Sequence, residues 1–443
     1  MPDLRQTSFD VASRLSAAGH EALFAGGCVR DQLLGQQPKD YDLATSATPA
    51  QVQAIFPRTD AIGAHFGVIL VKQDGHHVEV ATFRNDGSYK DGRRPESVTF
   101  TNAREDARRR DFTINGLFEN PSTGEIIDYV GGQEDLEHRL IRAIGEPDKR
   151  FQEDALRLLR AIRFAVRTGF EIEPATWAAV KRNAPLLSQI APERIREEFS
   201  RIISSPRRAL GLQLLHDSGL ADQFFPELRP LEGCEQPPQW HPEGDVFNHT
   251  RIALDLLPDD APLDLCLAVL LHDIGKPPTY EWDEADQRIR FSGHDAVGAD
   301  MSEVILRRLR YSNETIANVR EMVACHMKFM HVQDMRTAKL KRFMARPTFP
   351  LELELHRVDC ASSNGFTDNY EFLMEKLEEF AREPIIPPPL VTGKDLIALG
   401  LKPGPGFKPL LNEIETKQLE GELSTREEAL ERLRDLVEKK SLS

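Results

Sequence analysis

The apolar period changes once along this chain, and that change limits its fold more than any other feature. In FGVILVKQDGHHVEVATF (66–83) apolar and polar residues alternate on both sides of Asp74-Gly75. That is the pattern of two half-buried strands joined by a tight turn. From about residue 146 the spacing becomes three and four, as in EDALRLLRAIRFAVRTGF (153–170), which is the pattern of a helix with one buried face. A chain of 443 residues also exceeds one ordinary domain. Four blocks are expected: a mixed strand-and-helix block over 1–145, and helical blocks over 146–232, 233–380 and 381–443. LEGCEQPPQWHPEGD (231–245) reads as a linker or entry loop, and IIPPPLVTG (385–393) breaks the chain before the tail.

Composition narrows the class. Hydrophobic residues make up 40% and charged residues 29%, which is ordinary for a globular protein. The most apolar stretch, LDLCLAVLL (263–271), is short and carries an acid, so no membrane span is expected. The first residues form an amphipathic pattern without an apolar core, so no secretory leader is expected. Cys28, Cys234, Cys266, Cys325 and Cys360 are scattered and odd in number. They suit reduced thiols in a cytoplasm rather than a disulfide framework or zinc knuckle. The net charge of −15 speaks against a nucleic-acid partner, except where basic residues cluster, as in RRRD (108–111) and at Arg157, Arg160 and Arg163.

Two glycines, an arginine and two acids carry the first chemical signal. The Gly26-Gly27 turn opens into CVRDQLL, and Asp40-Tyr41-Asp42 follows. A glycine turn at a helix start lets backbone N–H groups approach a phosphate, and Arg30, one turn in, reaches the same group. Acids two apart in a strand share a face, because the strand period is two. Carboxylates held that close repel unless a divalent cation lies between them, and hard oxygen ligands suit Mg²⁺. Glu79, on the second strand of the predicted hairpin, is a third candidate for a two-metal site.

Here the chain resembles a known family. GGCVRDQLLGQQPKDYDLATSATP (26–49) is similar to the signature of class II tRNA nucleotidyltransferases and bacterial poly(A) polymerases, within the polymerase-β-like nucleotidyltransferases. RRRDFTINGLF (108–118), DYVGG (128–132), EDALRLLRAIRF (153–164) and PERIREEFSRII (192–203) resemble the family's later motifs, in order. The resemblance implies an α+β head with a small mixed sheet, five-stranded in type, followed by an all-helical neck, body and tail elongated along the acceptor and T arms of a tRNA. It implies template-independent addition of nucleotides to an RNA 3′ end from CTP and ATP, with RNA rather than DNA as partner. Gly26, Gly27, Arg30, Arg110, Asp154, Arg157, Arg160 and Arg163 would contact the incoming nucleotide, and Asp111 would hold the ribose. Asp40, Asp42 and Glu79 would be catalytic.

Base choice has a simple donor–acceptor logic. Asp154 and Arg157 stand three apart and, on a continuous helix, would share a face. A carboxylate accepts from an exocyclic amine and a guanidinium donates to a bare ring nitrogen. Cytosine and adenine offer that pair, whereas uracil and guanine oppose like with like. Addition of C, C and then A to tRNA 3′ ends is expected, with A addition alone or polyadenylation as the alternatives. The stretch LVKQDGHHVEV lacks the basic, aromatic character of poly(A) polymerases, and NDGSYKDGRRPESVTF (85–100) resembles the loop that enzymes adding only C lack.

The second half carries a histidine series: WHPEGDVFNHT, LLHDIGKP, GHDAVGADM and ACHMKFMH. His249, the His272-Asp273 pair and Asp359 resemble the ligand pattern of HD-superfamily phosphohydrolases, with His294 and His326 where binuclear members take extra ligands. Imidazole with carboxylate suits Mn, Fe, Ni, Zn or Co. The resemblance implies possible hydrolysis of 2′,3′-cyclic or terminal phosphates at an RNA end. The PGPG turn at 403–406 suits either an RNA phosphate or a plain helix connection.

Overall fold

The computed structural model describes residues 3–63, 67–86, 98–380 and 384–441. Most of the loop expected at 85–100 lies outside the described residues. Packing divides the chain into two compact units. The first is residues 1–229 with the short segments 258–260 and 308–311; the second is 230–257, 261–307 and 312–443.

In the first unit eleven strands are described: β1 (Ala22–Ala25), β2 (Leu43–Thr45), β3 (Thr59–Gly63), β4 (Val68–Gln73), β5 (His76–Thr82), β6 (Arg84–Asp86), β7 (Val98–Phe100), β8 (Leu117–Glu119), β9 (Ile126–Asp128), β10 (Leu140–Ile141) and β11 (Glu171–Ile172). Seven of them form one mixed sheet in the order β3-β4-β5-β2-β1-β8-β9, two strands wider than the expected five-stranded type. The expected hairpin is β4–β5, closed by Asp74 and Gly75 with φ of 50° and 82°. Both positive angles are what a tight right-twisted hairpin requires, and Asp-Gly supplies them cheaply. One pairing within this sheet is parallel: Leu43 of β2 stands opposite Val80 of β5. It brings the residue before each, Asp42 and Glu79, to the same level.

Helices α1 (Leu4–Ala17), α2 (Gly27–Leu33), α3 (Pro49–Ile55), α4 (Ala103–Arg109) and α5 (Gly132–Glu137) surround the sheet. Helices α6 (Pro147–Glu153), α7 (Leu156–Thr168), α8 (Pro174–Asn183), α9 (Pro192–Ile203) and α10 (Arg208–Asp217) complete the unit. Helix α7 buries Leu158, Leu159, Ile162 and Val166, while Arg157, Arg160, Arg163 and Arg167 recur at three and four on the adjoining face. Gly169 ends it with φ of 72°, the left-handed stop that favours glycine.

The second unit is helical around α11 (Val246–Asp255), α12 (Leu263–Leu271), α13 (His294–Arg308), α14 (Asn313–Cys325), α15 (Thr337–Met344) and α16 (Phe349–Ser362). Residues Leu265 to Leu271 of α12 are all buried, which explains their unbroken apolar run. Contacts with α11, α14 and α16 surround this helix, and it delivers His272 and Asp273 at its end. Gly275 is needed just beyond: a Cβ there would stand 2.2 Å from the His294 carbonyl oxygen, so any side chain would push α13 away. The chain closes with α17 (Asp368–Phe380), α18 (Gly393–Ala398), α19 (Phe407–Leu419) and α20 (Arg426–Ser441). The last three share a small core of Leu396, Leu410, Ile414 and Leu433.

Candidate functional site

A cleft of about 620 Å³ in the first unit gathers Gly26, Gly27, Arg30, Asp42, Glu79, Arg110, Asp111, Asp154, Arg157, Arg160 and Arg163. The chain reaches it from β1 through Gly26, whose φ of 72° and ψ of −113° suit glycine, and then enters α2. Asp40 and Asp42 lie in the extended lead-in to β2 rather than inside that strand, because β2 begins at Leu43. The Asp42 carbonyl still pairs with the Ala25 amide at 3.0 Å, so the segment stays aligned with β1. Asp40 itself is exposed.

The acids here are not neutralised. Asp42 is exposed and keeps its carboxylate open to the cleft. Desolvation, then Glu79, then Asp40 push its pKa up to about 6. Glu79 is raised as well, by desolvation and by Asp40. Among the described residues no side chain donates a hydrogen bond or ion pair to any of the three. Oxygen ligands without a cationic partner are the donor set for a divalent cation.

Arg30, Arg110, Arg157, Arg160, Arg163 and Arg167, by contrast, are held by acids. Arg30 is buried and donates to Asp31 Oδ1 from Nε and Nη2, at 2.9 and 2.6 Å, and to Asn115 Oδ1 from Nη1 at 2.5 Å. Asn115 in turn donates to Asp111 Oδ1, and Arg160 Nε to Asp111 Oδ2, at 3.0 and 2.7 Å. Burial alone would raise the Asp111 carboxyl, but Arg160 and the Asn115 hydrogen bond hold it well below the carboxylate range. Arg163 pairs with Glu198 at 3.1 Å; burial lowers its pKa to about 10 against the pull of that acid.

The base-reading pair departs from the expected continuous helix. Helix α6 stops at Glu153, and Asp154 is extended, with φ of −144° and ψ of 104°, before α7 begins at Leu156. Asp154 Oδ1 accepts from the Leu156 amide at 3.0 Å, and Oδ2 takes Arg194 Nη2 at 3.2 Å. Arg157 donates to Glu153 Oε2 at 2.7 Å and to the carbonyls of Arg150 and Arg109, both at 3.1 Å. Both residues line the cleft, each fixed by partners of its own.

In the second unit all six residues singled out from the histidine series converge. His249 Nε2 faces His272 Nε2 at 3.2 Å and Asp359 Oδ1 at 3.2 Å. His294 Nε2 faces His326 Nε2 at 3.1 Å and Asp273 Oδ1 at 3.5 Å. The other oxygen of Asp273 lies 3.3 Å from His272 Nε2, so Asp273 belongs to both groups. Each ring's Nδ1 meets an acceptor: Glu243 Oε1 for His249 at 2.7 Å, and the carbonyls of Val269, Phe291 and Val323 for His272, His294 and His326 at 2.8, 2.8 and 2.6 Å. An acceptor at Nδ1 keeps the proton there and leaves Nε2 as a lone pair. Two such lone pairs at hydrogen-bond distance repel unless a proton or cation lies between them. Burial would lower His272, but Asp273 and Asp359 push it up to about 10, whereas burial and the neighbouring His272 and His294 lower His326 to about 4. The donor set fits a transition metal.

Family models match most of this frame. The Poly A polymerase head domain matches residues 22–142, a model described as an RNA and SrmB binding site of polymerase A matches 169–231, and domain 2 of tRNA nucleotidyltransferases matches 295–433. The CCA-adding enzyme of Lacticaseibacillus paracasei is 34% identical over 436 residues, 95% of this chain and 94% of that relative. This chain belongs to the CCA-adding enzyme family. The Geobacillus thermodenitrificans CCA-adding enzyme is 48% identical over 217 residues, and the chain spans about half of that relative's length, 54%. Among solved structures, the Bacillus stearothermophilus CCA-adding enzyme in complex with CTP is 28% identical with a TM-score of 0.77, covering 100% of this chain and 99% of that one. A Thermotoga maritima CCA-adding enzyme complexed with tRNA shares the fold, with a TM-score of 0.62 at 18% identity over 98% of this chain and 95% of that one.

Several residues of this CCA-adding family member escaped the reading of its sequence. Arg167 lines the cleft and donates to Asp31 at 2.7 Å; it continues the three-and-four stripe from Arg157, so periodicity alone could have found it. Asn115 and Arg194 also line the cleft, within the quoted RRRDFTINGLF and PERIREEFSRII stretches. Glu243, within WHPEGDVFNHT, supports His249 from behind the metal side. No helix among the described residues is long and apolar enough to cross a membrane.

Proposed function

We propose that the first unit's cleft adds C, C and then A to the 3′ end of a tRNA, from CTP and ATP. The observation that carries this is the un-neutralised pair of Asp42 and Glu79 in an arginine-lined cleft with the glycine turn, Asp40 acting on both from outside its lining, in a chain matched nearly end to end by a CCA-adding enzyme. The RNA 3′-oxygen attacks the α-phosphorus in line, the bond to the β-phosphate oxygen breaks, and pyrophosphate leaves. Asp40, Asp42 and Glu79 would hold two Mg²⁺ ions, which supply acidification of the attacking hydroxyl and charge for the leaving pyrophosphate. The start of α2 from Gly27 onward receives the triphosphate on backbone N–H groups, with Arg30 and Arg110 beside it, since the Gly26 N–H is taken by the Leu117 carbonyl at 2.9 Å. Asp111 would hold the ribose. Asp154 accepts from the amine of cytosine or adenine and Arg157 donates to the ring nitrogen. The tRNA presents its acceptor and T arms to the helical blocks.

The test is incubation of the protein with Mg²⁺, a tRNA lacking its 3′ end, and labelled CTP and ATP. Two C residues followed by one A support the reading. Addition of A only to a CC end, a long A tail, or no incorporation each overturns it.

A second activity is favoured by the histidine cluster of the second unit. We infer that His249, His272, Asp273, His294, His326 and Asp359 hold a metal of the Mn, Fe, Ni, Zn or Co type and hydrolyse 2′,3′-cyclic or terminal phosphates at RNA ends. When bound, such a metal supplies activation of water toward a phosphate ester. Glu243 fixes the ring of His249, and Lys276, 2.7 Å from Asp273, balances part of the buried charge. Phosphatase activity lost in His272→Ala, with nucleotide addition unchanged, supports this; absence of any metal-dependent phosphatase activity removes it.

A further inference from the structure

We propose that the pocket over this histidine cluster carries a base-stacking subsite, so that its ligand is a nucleoside phosphate rather than a bare phosphate; this rests on the phosphohydrolase reading above. The pocket measures about 720 Å³, within the range of small-molecule sites and far larger than a phosphate needs. One part of its lining is the metal-ligating cluster, with His294, His326, Asp273 and Asp359. Another part is apolar. Trp240, Met327, Met330 and Phe366 all line it while remaining 46%, 38%, 57% and 62% exposed. Large apolar side chains left open together at one mouth mark a ligand surface. Their chemistry is specific: two aromatic faces and two thioethers suit a flat heteroaromatic ring. The cations suit a phosphate. Lys276 is buried against Asp273, and Arg288 and Arg290 reach the pocket from a small hairpin, Glu281–Asp283 paired with Arg288–Arg290. A bare phosphate would leave the apolar wall unused, and a lipid tail would not call for aromatic faces beside guanidinium groups.

Trp240 supplies the readout, because of the chain's three tryptophans, Trp177, Trp240 and Trp282, it is the one that lines this pocket. The full chain is loaded with Mn²⁺ and titrated with inorganic phosphate, with ribose 5-phosphate, with hydrolysis-resistant adenosine 3′-phosphorothioate, and with a short RNA ending in the same group. Quenching by the nucleoside compound at about tenfold lower concentration than by either base-free compound is expected, since stacking on one aromatic ring is worth about fivefold to 150-fold. Phe366→Ala and Met330→Ala, both at exposed positions, should each weaken the nucleoside compound while leaving inorganic phosphate and bound metal unchanged. Trp240→Phe should remove the signal. Tighter binding of the RNA identifies strand ends as the source, and tighter binding of the free compound identifies mononucleotides. Equal affinity for base-bearing and base-free compounds, or unaltered affinity in Phe366→Ala and Met330→Ala, overturns the subsite. Base-dependent quenching in a protein that retains no metal would keep the subsite and remove the phosphohydrolase reading alone.

Discussion

The Arg110 guanidinium occupies the space that a side chain at Gly26 would enter: its Nη1 lies 2.8 Å from where a Cβ on residue 26 would stand. The glycine turn and the arginine are therefore one device. Gly26→Ala must both strain a backbone with φ of 72° and displace Arg110. The strain costs about 1–3 kcal/mol, seen as a lower Tm. Losing one charged contact to the triphosphate costs about 1.5 kcal/mol more in binding, or about tenfold in KM for CTP and ATP alike. Steady-state kinetics with each nucleotide check this, and an unchanged KM would place the triphosphate elsewhere.

Asp106 holds Arg110 from behind. It is buried on α4 and accepts from Arg109 at 2.9 and 2.7 Å, from Arg110 at 3.2 and 3.0 Å, and from the Arg84 amide at 3.2 Å. Asp106→Asn should raise KM for CTP and ATP together and leave the order of addition intact, because it acts on triphosphate binding and not on base choice. Breaking this buried pair should also cost about 3 kcal/mol of stability. Burial raises the Asp106 pKa, but Arg110 and Arg109 outweigh it and the net shift is downward from 3.8. A depressed carboxyl stabilises fully above its unfolded pKa and loses that contribution as pH falls through the folded value. Urea denaturation between about pH 5 and pH 2 should therefore show a weaker acid loss in Asp106→Asn than in the wild type.

Asp42 carries the opposite sign. Its folded pKa of about 6 stands above the ordinary 3.8, so without metal the native state binds the extra proton and stability falls as pH rises through that window. Asp42→Asn should raise the Tm of metal-free protein above pH 6, abolish nucleotide transfer and leave the circular dichroism spectrum unchanged. In the wild type, Mg²⁺ or Mn²⁺ binding should weaken as pH drops below about 6, since proton and cation compete for one carboxylate. Calorimetric titration at pH 5, 6 and 7.5 checks it; a metal-free Tm that falls in Asp42→Asn would show that the carboxylate is stabilising and not a vacant cation ligand.

Local pattern made much of this legible, and long-range pairing hid the rest. Alternation around Asp74-Gly75 marked the β4–β5 hairpin because a two-residue turn is encoded where it occurs. The run from Leu265 to Leu271 marked a buried helix for the same reason. The parallel pairing of β2 with β5, which brings Asp42 level with Glu79, spans 37 residues and has no local signal. Nor does the bond between Arg194 and Asp154, 40 residues apart. The break at Asp154 was misread as continuous helix because EDALRLLR has strong helical propensity throughout, and the carboxylate capping Leu156 overrides it. In the second unit the ligating residues were visible as types. The supporting Glu243 was not, since an acid in a Pro- and Gly-rich loop looks like any other loop acid.

Asp273 links the two halves of the histidine cluster, with one oxygen 3.3 Å from His272 and the other 3.5 Å from His294. Among the described residues Asp359 forms ion pairs with His249 and His272. The two acids should therefore differ when each is changed to its amide. Asp359→Asn should reduce bound Mn²⁺ to the share held by Asp273, His294 and His326, whereas Asp273→Asn should empty both positions. Outer ligands and their supports typically alter metal affinity by about 10–100-fold, so Glu243→Gln should fall between wild type and Asp359→Asn. Metal content per chain after gel filtration, by inductively coupled plasma mass spectrometry, separates these cases. Nucleotide addition by the first unit should be the same in all three variants. Equal metal loss in Asp359→Asn and Asp273→Asn would mean a single shared ion, full retention in Asp273→Asn would mean that Asp273 is not a ligand, and no metal in the wild type would mean that the cluster is a hydrogen-bonded core.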